Sequence, residues 1–301
     1  MNGNKFTIGV TDDAPIENDR LRLGTFTPFV SGDISKRTDP KSVFSDVKSI
    51  VVVCVPYDEG ENFSNLSSLG VCNDYHKRVQ NVLKGIANTL IATFGSFNFK
   101  ILVDSPTLCE RSLAVRAGLG FFSKNGLVNS PEFGTRMNIG LMLADFELTD
   151  YLPQLLRLTI DDGTPNNGAC PVECNICIKA CPNGALSEGK PLNAGMCISY
   201  LTQKETLTSN EEKLLHGQLY GCDICQNVCP KNTKRNFSYV DPIQLLDKSD
   251  ACLAKKYSHT AMMWRIKLLR RNASLFQDVN TSAKLTDKPS MMSTGTTSVC
   301  S

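Results

Sequence analysis

The feature that most constrains this 301-residue sequence is a run of four closely spaced cysteines. It comprises Cys170, Cys174, Cys177 and Cys181 and is followed at once by Pro182. Bacterial ferredoxins hold four-iron clusters with the run C-x2-C-x2-C-x3-C-P, which differs from this one only by a residue in the first spacing. We therefore expect a metal-binding segment in which metal–thiolate bonds replace much of a hydrophobic core.

A second, interrupted run follows the first. It consists of Cys197, Cys222, Cys225 and Cys229, and again a proline, Pro230, follows the last cysteine. Eight thiolates suffice for two four-iron clusters, and in two-cluster ferredoxins the fourth cysteine of each run ligates the other cluster. The predicted ligand sets are Cys170, Cys174, Cys177 and Cys229 for one cluster, and Cys181, Cys197, Cys222 and Cys225 for the other.

Two other roles for these cysteines remain open at this point. Paired C-x2-C motifs also form zinc sites, although zinc sites do not need the x3-Cys-Pro ending that occurs twice here. A disulfide framework requires an oxidising compartment, and the opening sequence MNGNKFTIGV lacks the pattern of a secretory signal. The remaining cysteines have no ligand spacing, and Cys54 in an apolar strand is predicted to be a small buried hydrophobe.

Hydropathy and charge limit the possible surroundings of the chain. The longest apolar run, residues 50–56, is far shorter than the ~20 residues that span a membrane, so we expect a soluble, cytoplasmic protein. We also expect a monomer. The formal net charge is +2, but residues 231–277 contain ten Lys or Arg and only three Asp. Such a block attracts phosphates or forms a solvated helix face.

Alternating strand and helix patterns predict an α/β or mixed-sheet domain over residues 1–160. A cluster domain over 161–240, a helical segment over 241–278 and an unfolded tail over 279–301 are expected to follow, with a linker between 148 and 170. The predicted elements are a strand at 49–55, a helix at 74–94, a strand ending at Asp104, a helix from Glu110 to about Gly118, a strand from Met137 and a helix at 255–276.

Asp104 is the candidate catalytic residue on position alone. It ends an apolar strand, where α/β proteins place catalytic side chains, and Glu110 follows on the next helix. The alternative is that Asp104 caps that helix. The glycine-rich segment GLGFFSKNG, residues 118–126, brings backbone close to a ligand or simply forms a turn. His76, at the head of the long helix, is a ligand contact or a structural residue.

Several blocks together resemble one known family. They are DYHKR, VDSPTLCERSLAVRAGLGFFSKNGL, the first cysteine run, CISYLT and YGCDICQNVCPKN, and the resemblance to the epoxyqueuosine reductase family covers about residues 30–277. It implies an α+β fold, with a nitroreductase-like cobalamin-binding domain of α/β type, a double-cluster ferredoxin-like domain and a short C-terminal helical piece. The implied reaction removes the epoxide oxygen from epoxyqueuosine in the anticodon loop of transfer RNA.

The resemblance also implies roles for individual residues. Asp104 matches the proton donor, which burial beside the corrin ring would keep protonated. The clusters would pass electrons from a reduced flavodoxin or ferredoxin to the cobalt of cobalamin. Cobalamin contacts are implied at Tyr75, His76, Lys124, Val128 and Ile139.

This sequence departs from the family pattern at several places. The first spacing, CPVEC, is one residue longer, FFSKNG replaces a Gly-Lys-His core, and GTRMNIGLML replaces an aromatic stretch. Where the family carries helical repeats that grip transfer RNA, only AMMWRIKLLRRNASLF is recognisable. Two further hypotheses therefore stay open: a dehalogenase-like reductase of a small molecule, and a ferredoxin-like electron carrier that has lost cobalamin.

Overall fold

The computed structural model describes residues 5–17, 27–57, 62–151 and 168–276. Most of the predicted linker and the whole predicted tail lie outside these residues. The strands are β1 Thr7–Asp12, β2 Ser49–Pro56, β3 Phe99–Val103, β4 Phe121–Phe122, β5 Val128–Asn129 and β6 Met137–Ala144. The α-helices are α1 Ile34–Thr38, α2 Ser68–Val71, α3 Tyr75–Phe94, α4 Glu110–Arg116, α5 Ile176–Ala180, α6 Ile198–Leu201, α7 Ser209–Lys213, α8 Ile224–Asn227, α9 Pro242–Leu246, α10 Asp250–Lys256 and α11 Ile266–Ser274. Short 3₁₀ helices occur at Pro40–Ser42, Thr149–Tyr151, Ala194–Met196 and Ala261–Arg265.

The chain forms two compact units that interleave along the sequence. The first contains residues 1–57, 75–195 and 224–234, and the second contains 58–74, 196–223 and 235–301. The domains predicted from the sequence are consecutive, and their division at residues 160, 240 and 278 stays a prediction. The strands and the helix α3 lie in the first unit, whereas the C-terminal helices α9, α10 and α11 lie in the second.

A four-stranded antiparallel sheet organises the first unit. Its strand order is β1-β2-β6-β3, and each neighbouring pair is antiparallel. Pro56 at the end of β2 lies opposite Met137 at the start of β6, and Val103 at the end of β3 lies opposite Gly140. The ends of β2 and β3 and the start of β6 therefore meet at the same end of the sheet. The sequence pattern does not show strand direction, so only pairing reveals that the sheet is antiparallel.

Both faces of this sheet are covered. Alternate residues of β2 belong to separate cores, one packed against α4 and the other against α3, which explains why the whole strand is apolar. The α3 contact is close, because a Cβ atom added at Gly140 would lie 2.3 Å from Cγ1 of Val79. Cys54 is fully buried as predicted, and burial raises the pKa of its thiol to about 12.

The second unit has its own hydrophobic core, to which α9, α10 and α11 contribute. Buried Asn272 ties this core together, since its Nδ2 donates to Thr202 O at 2.9 Å and to Leu219 O at 2.8 Å. A polar group buried in this way stabilises the fold only because both carbonyls accept from it.

The prediction of one continuous helix over residues 255–276 is wrong. The chain instead forms α10, a turn, the 3₁₀ helix Ala261–Arg265 and α11. Thr260 causes the break, because its amide donates to Tyr257 O at 3.0 Å and its hydroxyl accepts from Met262 N at 3.2 Å. The apolar spacing runs through the break, since Leu253, Met262 and Leu269 all enter the same core.

Candidate functional site

The end of the sheet where β2 and β3 finish is also the place where α3 begins. Asp104 directly follows β3 and adopts a φ of +50°, a conformation that residues other than glycine rarely take. Arg78 fixes the start of α3, because its Nη1 donates to Pro56 O at 2.7 Å, at the end of β2. Asp104 and the first turn of α3 therefore lie close together at this end of the sheet.

Asp104 contacts two of the predicted site residues. Tyr75 Oη donates to Asp104 Oδ2 at 2.6 Å, and Nε2 of His76 lies 3.9 Å from the same oxygen. The rings of Tyr75 and His76 stack with centroids 4.1 Å apart. The N-cap position of α4 is Cys109, without a side-chain capping bond, so the helix-capping role considered for Asp104 is wrong.

The expected burial of Asp104 is not produced by the protein itself. Its side chain is 67% exposed, at a position of positive φ one residue after the end of β3. A ligand would have to cover this carboxyl group to remove it from water.

Glu110 also holds the backbone that follows Asp104. Its Oε1 accepts from the amide of Ser105 at 3.1 Å. Burial raises the pKa of Glu110 to about 8, and the negative charge of Asp104 adds to that rise against the opposing hydrogen bond from Ser105. Glu110 is therefore mainly protonated at neutral pH. The sequence places Glu110 six residues after Asp104 but does not reveal this bond to Ser105.

The other predicted cofactor contacts lie elsewhere in the first unit. Val128 is buried in β5, and Ile139 packs in the same core, on the α4 side of the sheet. Lys124 Nζ donates to Val172 O, Asn175 Oδ1 and Glu188 Oε1. A ligand contact through that ammonium group would have to displace one of these partners. The cofactor roles of Val128, Ile139 and Lys124 stay predictions.

Two buried amides of the first unit were not singled out from the sequence. Nδ2 of Asn138 and Nδ2 of Asn129 have no hydrogen-bond partner within the described ranges. Asn138 shares a face of β6 with Gly140, which packs against Val79, one helical turn after Tyr75. Unsatisfied buried donors are costly. A ligand rich in carbonyl oxygens, such as the amide-bearing rim of a corrin, would accept a hydrogen bond from Asn138. The sequence feature that could have pointed to Asn138 is a polar residue in the otherwise apolar strand MNIGLMLA.

Four cysteines come together in the first unit. Burial raises the pKa of the Cys177 thiol, and negative charge at Cys170, Cys229 and Cys174 raises it further. These are the members of the first predicted ligand set, and they interact although Cys229 is far away in sequence. Four thiolates are the ligand set that a four-iron cluster needs.

The second predicted set occupies the ends of short helices. Cys181 is the C-cap residue of α5, and Cys197 is the N-cap residue of α6. Cys222 lies two residues before α8, and Cys225 is the second residue of α8. All four thiols belong to partly buried residues. Their joint ligation of a cluster stays a prediction.

Polar contacts fix the segment that carries Cys229 against the start of β6. Arg136 donates from Nη1 to Thr233 O at 2.6 Å and from Nη2 to Asn227 Oδ1 at 2.7 Å. Asn232 Oδ1 accepts from Thr135 N at 2.8 Å. This support is rigid because Thr135, Arg136 and Asn232 are all buried.

Two protein-family models match this chain, one over the cysteine runs and one over the part that contains β2, α3 and Asp104. A family model described as "4Fe-4S double cluster binding domain" matches residues 170–232, and one described as "Epoxyqueuosine reductase QueG, DUF1730" matches residues 37–105. The epoxyqueuosine reductase of Listeria monocytogenes is 30% identical over 276 residues, which cover 83% of this chain and 69% of that protein. The chain belongs to the epoxyqueuosine reductase family.

Solved structures of epoxyqueuosine reductases have the same fold. The enzyme from Bacillus subtilis, with its catalytic aspartate loop swung out of the active site, superimposes with a TM-score of 0.75 at 27% identity, covering 94% of this chain and 79% of that one. An epoxyqueuosine reductase with an epoxyqueuosine-modified tRNA-Tyr stem loop gives the same values. Family membership confirms the α+β fold class, and the family's cofactors are two four-iron clusters and cobalamin.

Proposed function

We propose that this chain reduces epoxyqueuosine in transfer RNA to queuosine. The observation that carries the proposal is the carboxyl group of Asp104, held by Tyr75 at the end of the sheet, in a chain of the epoxyqueuosine reductase family. An acid fixed at an open position is what the departing epoxide oxygen needs. The unsatisfied amide of Asn138 supports a large carbonyl-rich cofactor nearby.

The overall reaction consumes two electrons and two protons and converts the epoxide into an alkene and water. Cobalamin and the clusters, when bound, supply the two electrons. Covered by the bound cofactor and substrate, Asp104 would supply one proton to the departing oxygen from its carboxyl group, and water would supply the second. Tyr75 orients that group through Oδ2, while Glu110 holds the loop through the amide of Ser105.

The cluster ligands are proposed as the two predicted sets. The mutual influence of Cys177, Cys170, Cys174 and Cys229 supports the first set, and the double-cluster family match supports the presence of a second. Tyr75 and His76 are proposed to contact cobalamin from the first turn of α3. A reduced flavodoxin or ferredoxin is the proposed electron donor, and a cytoplasmic monomer is the proposed form. None of the described helices is long and apolar enough to cross a lipid bilayer.

The basic segment between Lys231 and Arg271 is proposed to contact the transfer RNA. Arg270 donates to Lys248 O and pairs with Asp250, and Arg271 donates to backbone carbonyls near Lys204, so both stabilise the second unit. A groove of about 630 Å³ beside them is lined by Trp264, Arg265 and Lys267, among others. Trp264 is 77% exposed. An exposed aromatic ring among cations suits a nucleic acid.

The test is an anaerobic incubation of the protein, loaded with both kinds of cofactor, with a strong reductant and epoxyqueuosine-containing transfer RNA, followed by nucleoside analysis. Queuosine should appear in proportion to enzyme. Loaded protein that leaves the nucleoside unchanged, in an assay where a known epoxyqueuosine reductase converts it, would overturn the proposal. Free epoxyqueuosine nucleoside as a parallel substrate shows whether the RNA is required.

A further inference from the structure

The first cysteine spacing contains one residue more than the ferredoxin run, and a turn absorbs it. Cys174 N donates to Pro171 O at 3.0 Å, which closes a turn with Val172 and Glu173 at its centre. Val172 is 80% exposed, so no apolar packing holds the tip of this turn. Because Cys170 and Cys174 flank the turn, its shape decides the separation of two proposed cluster ligands.

Lys124 binds this turn directly. Its Nζ donates to Val172 O at 2.6 Å, to Asn175 Oδ1 at 3.0 Å and to Glu188 Oε1 at 2.8 Å, which uses all three protons of the ammonium group. The backbone amide of Lys124 donates to Cys170 Sγ at 3.4 Å. One residue therefore contacts the tip of the turn, the residue after Cys174 and the thiol before the turn.

The position of Lys124 is itself fixed by a rigid hairpin turn between β4 and β5. Buried Ser123 places Oγ 2.6 Å from Asn125 Oδ1 and 2.8 Å from Leu127 O, so its single hydroxyl proton bonds to one of these two acceptors. Gly126 takes a φ of +79°, which favours glycine, and its carbonyl accepts from Arg111 Nη1 at 2.6 Å. The FFSKNG segment therefore presents Lys124 from a fixed backbone.

The side chain of Asn175 binds Lys124 and does not cap its own helix. Asn175 is the N-cap residue of α5, the helix that carries Cys177, yet its side chain makes no capping bond. Its Oδ1 accepts from Lys124 instead. Asparagine at this position normally accepts from the first turn of its own helix, so Lys124 occupies the acceptor atom that would otherwise cap α5.

We propose that Lys124 is the positioning residue that holds the lengthened Cys170–Cys174 turn in a shape able to bind a four-iron cluster. The two departures from the usual pattern are then linked, because Lys124 in the FFSKNG turn compensates for the extra residue between Cys170 and Cys174. The inference rests on the proposed cluster assignment and not on the substrate. Groups that orient metal ligands typically contribute 10- to 100-fold to metal affinity.

The test compares Lys124→Met with the wild type after anaerobic reconstitution. Methionine keeps the length and apolar stem of lysine but donates no hydrogen bond. Lys41→Met is the matched control, because Lys41 Nζ also pairs with a carboxylate at 2.8 Å, that of Asp13 in the same unit. In Lys124→Met, one of two clusters should lose iron to a chelator about 10- to 100-fold faster, with a changed electron paramagnetic resonance signal, while the other cluster stays intact and serves as the internal measure of folding.

Two further variants sharpen the result. Lys124→Arg, which retains several donors, should restore most of the iron retention. In a chain from which Val172 has been deleted, the usual spacing returns, and Lys124→Met should then change iron loss by less than about 3-fold. Equal retention by Lys124→Met and Lys41→Met would overturn the proposal, and so would loss of both clusters together or an equal effect in the deleted background. A wild-type protein that binds no four-iron cluster would instead overturn the cluster assignment.

Discussion

Tyr75, the first residue of α3, donates a 2.6 Å hydrogen bond from its hydroxyl group to Oδ2 of Asp104, the residue that follows β3. The bond joins a helix start to a strand end that are 29 residues apart in the chain. Asp104 has a φ of +50°, and Glu110 binds the next amide from the other side. A strained conformation of this kind persists only where neighbours fix it, and it often marks a functional position.

Replacing Asp104 with asparagine removes the acidic proton at the proposed position while keeping the size of the side chain. We expect Asp104→Asn to retain both clusters and bound cobalamin but to lose about 10²-fold or more in turnover, the usual contribution of a general acid. Single-turnover nucleoside analysis measures this. Asp46→Asn, at an exposed aspartate of the same unit, is the control. Near-normal turnover of a fully loaded Asp104→Asn protein would remove Asp104 from the mechanism.

Replacing Tyr75 with phenylalanine keeps the ring that stacks on His76 and removes only the hydroxyl group. A hydrogen bond between neutral groups contributes about 0.5–1.5 kcal/mol, so turnover should fall about 2- to 10-fold if the bond orients the protonated acid. The double variant with Asp104→Asn should be little worse than Asp104→Asn alone, because both changes act through one contact. Fully multiplicative losses would show that Tyr75 acts independently of Asp104.

Glu110 predicts a pH dependence of stability. Its pKa rises from the ordinary 4.5 to about 8 in the folded chain, mainly through burial, so the folded state binds more protons than the unfolded state between these values. The free energy of unfolding should therefore fall as the pH rises from about 4.5 to 8. Glu110→Gln still accepts from Ser105 but does not ionise. Because Glu110 is partly exposed, we expect the variant to gain only on the order of 1–2 kcal/mol at pH 8 relative to pH 5, measured by denaturant unfolding. An equal difference at both pH values would exclude this titration.

Gly134, just before β6, packs so closely against Asn232 and Lys231 that a larger residue at this position should disturb the segment that carries Cys229. Its φ is +60°, and an added Cβ atom would lie 2.0 Å from Asn232 Oδ1 and 2.9 Å from Lys231 O. Gly134→Ala should therefore lower stability by more than the ~1–2 kcal/mol of backbone strain and should weaken cluster retention. Gly189→Ala is the control, since Gly189 has a φ of +68° with nothing within 4 Å. Thermal unfolding and iron content of both variants measure the difference, and equal values would show that Asn232 moves freely aside.

Reversing the charges of Arg265 and Lys267 tests the proposed transfer RNA surface without touching Arg270 or Arg271. Phosphate contacts release counterions, so Arg265→Glu with Lys267→Glu should weaken binding of a tRNA stem loop and reduce the slope of affinity against salt by roughly one for each lost contact. Lys48→Glu with Lys84→Glu, two exposed lysines of the first unit, carries the same change in net charge. Gel-shift titrations at several salt concentrations give both slopes. Identical slopes for the two double variants would assign the effect to net charge alone.

Much of the local structure followed from the sequence. The helix predicted from residue 74 to 94 is Tyr75–Phe94, and the predicted apolar strand is Ser49–Pro56, because hydrophobic spacing reports directly which face of a segment is buried. The pattern failed at residues 255–276, where one apolar spacing crosses a turn made by Thr260. The capping role that local spacing allowed for Asp104 also failed, since its partner Tyr75 lies in another element.

The sequence by itself determined the chemistry of this protein: eight thiols in ferredoxin-like runs, an aspartate after an apolar strand and the blocks shared with the epoxyqueuosine reductases. Residue type and short-range spacing are sufficient for such features, because ligand chemistry and helix or strand period act over a few residues. Only the tertiary structure decided that the sheet is antiparallel, that Asp104 is exposed and bound by Tyr75, that Glu110 is mainly protonated and that Lys124 binds the lengthened cysteine turn. Each of these depends on which distant segments pack together, and burial and hydrogen bonding are set by that packing and not by neighbours in the chain.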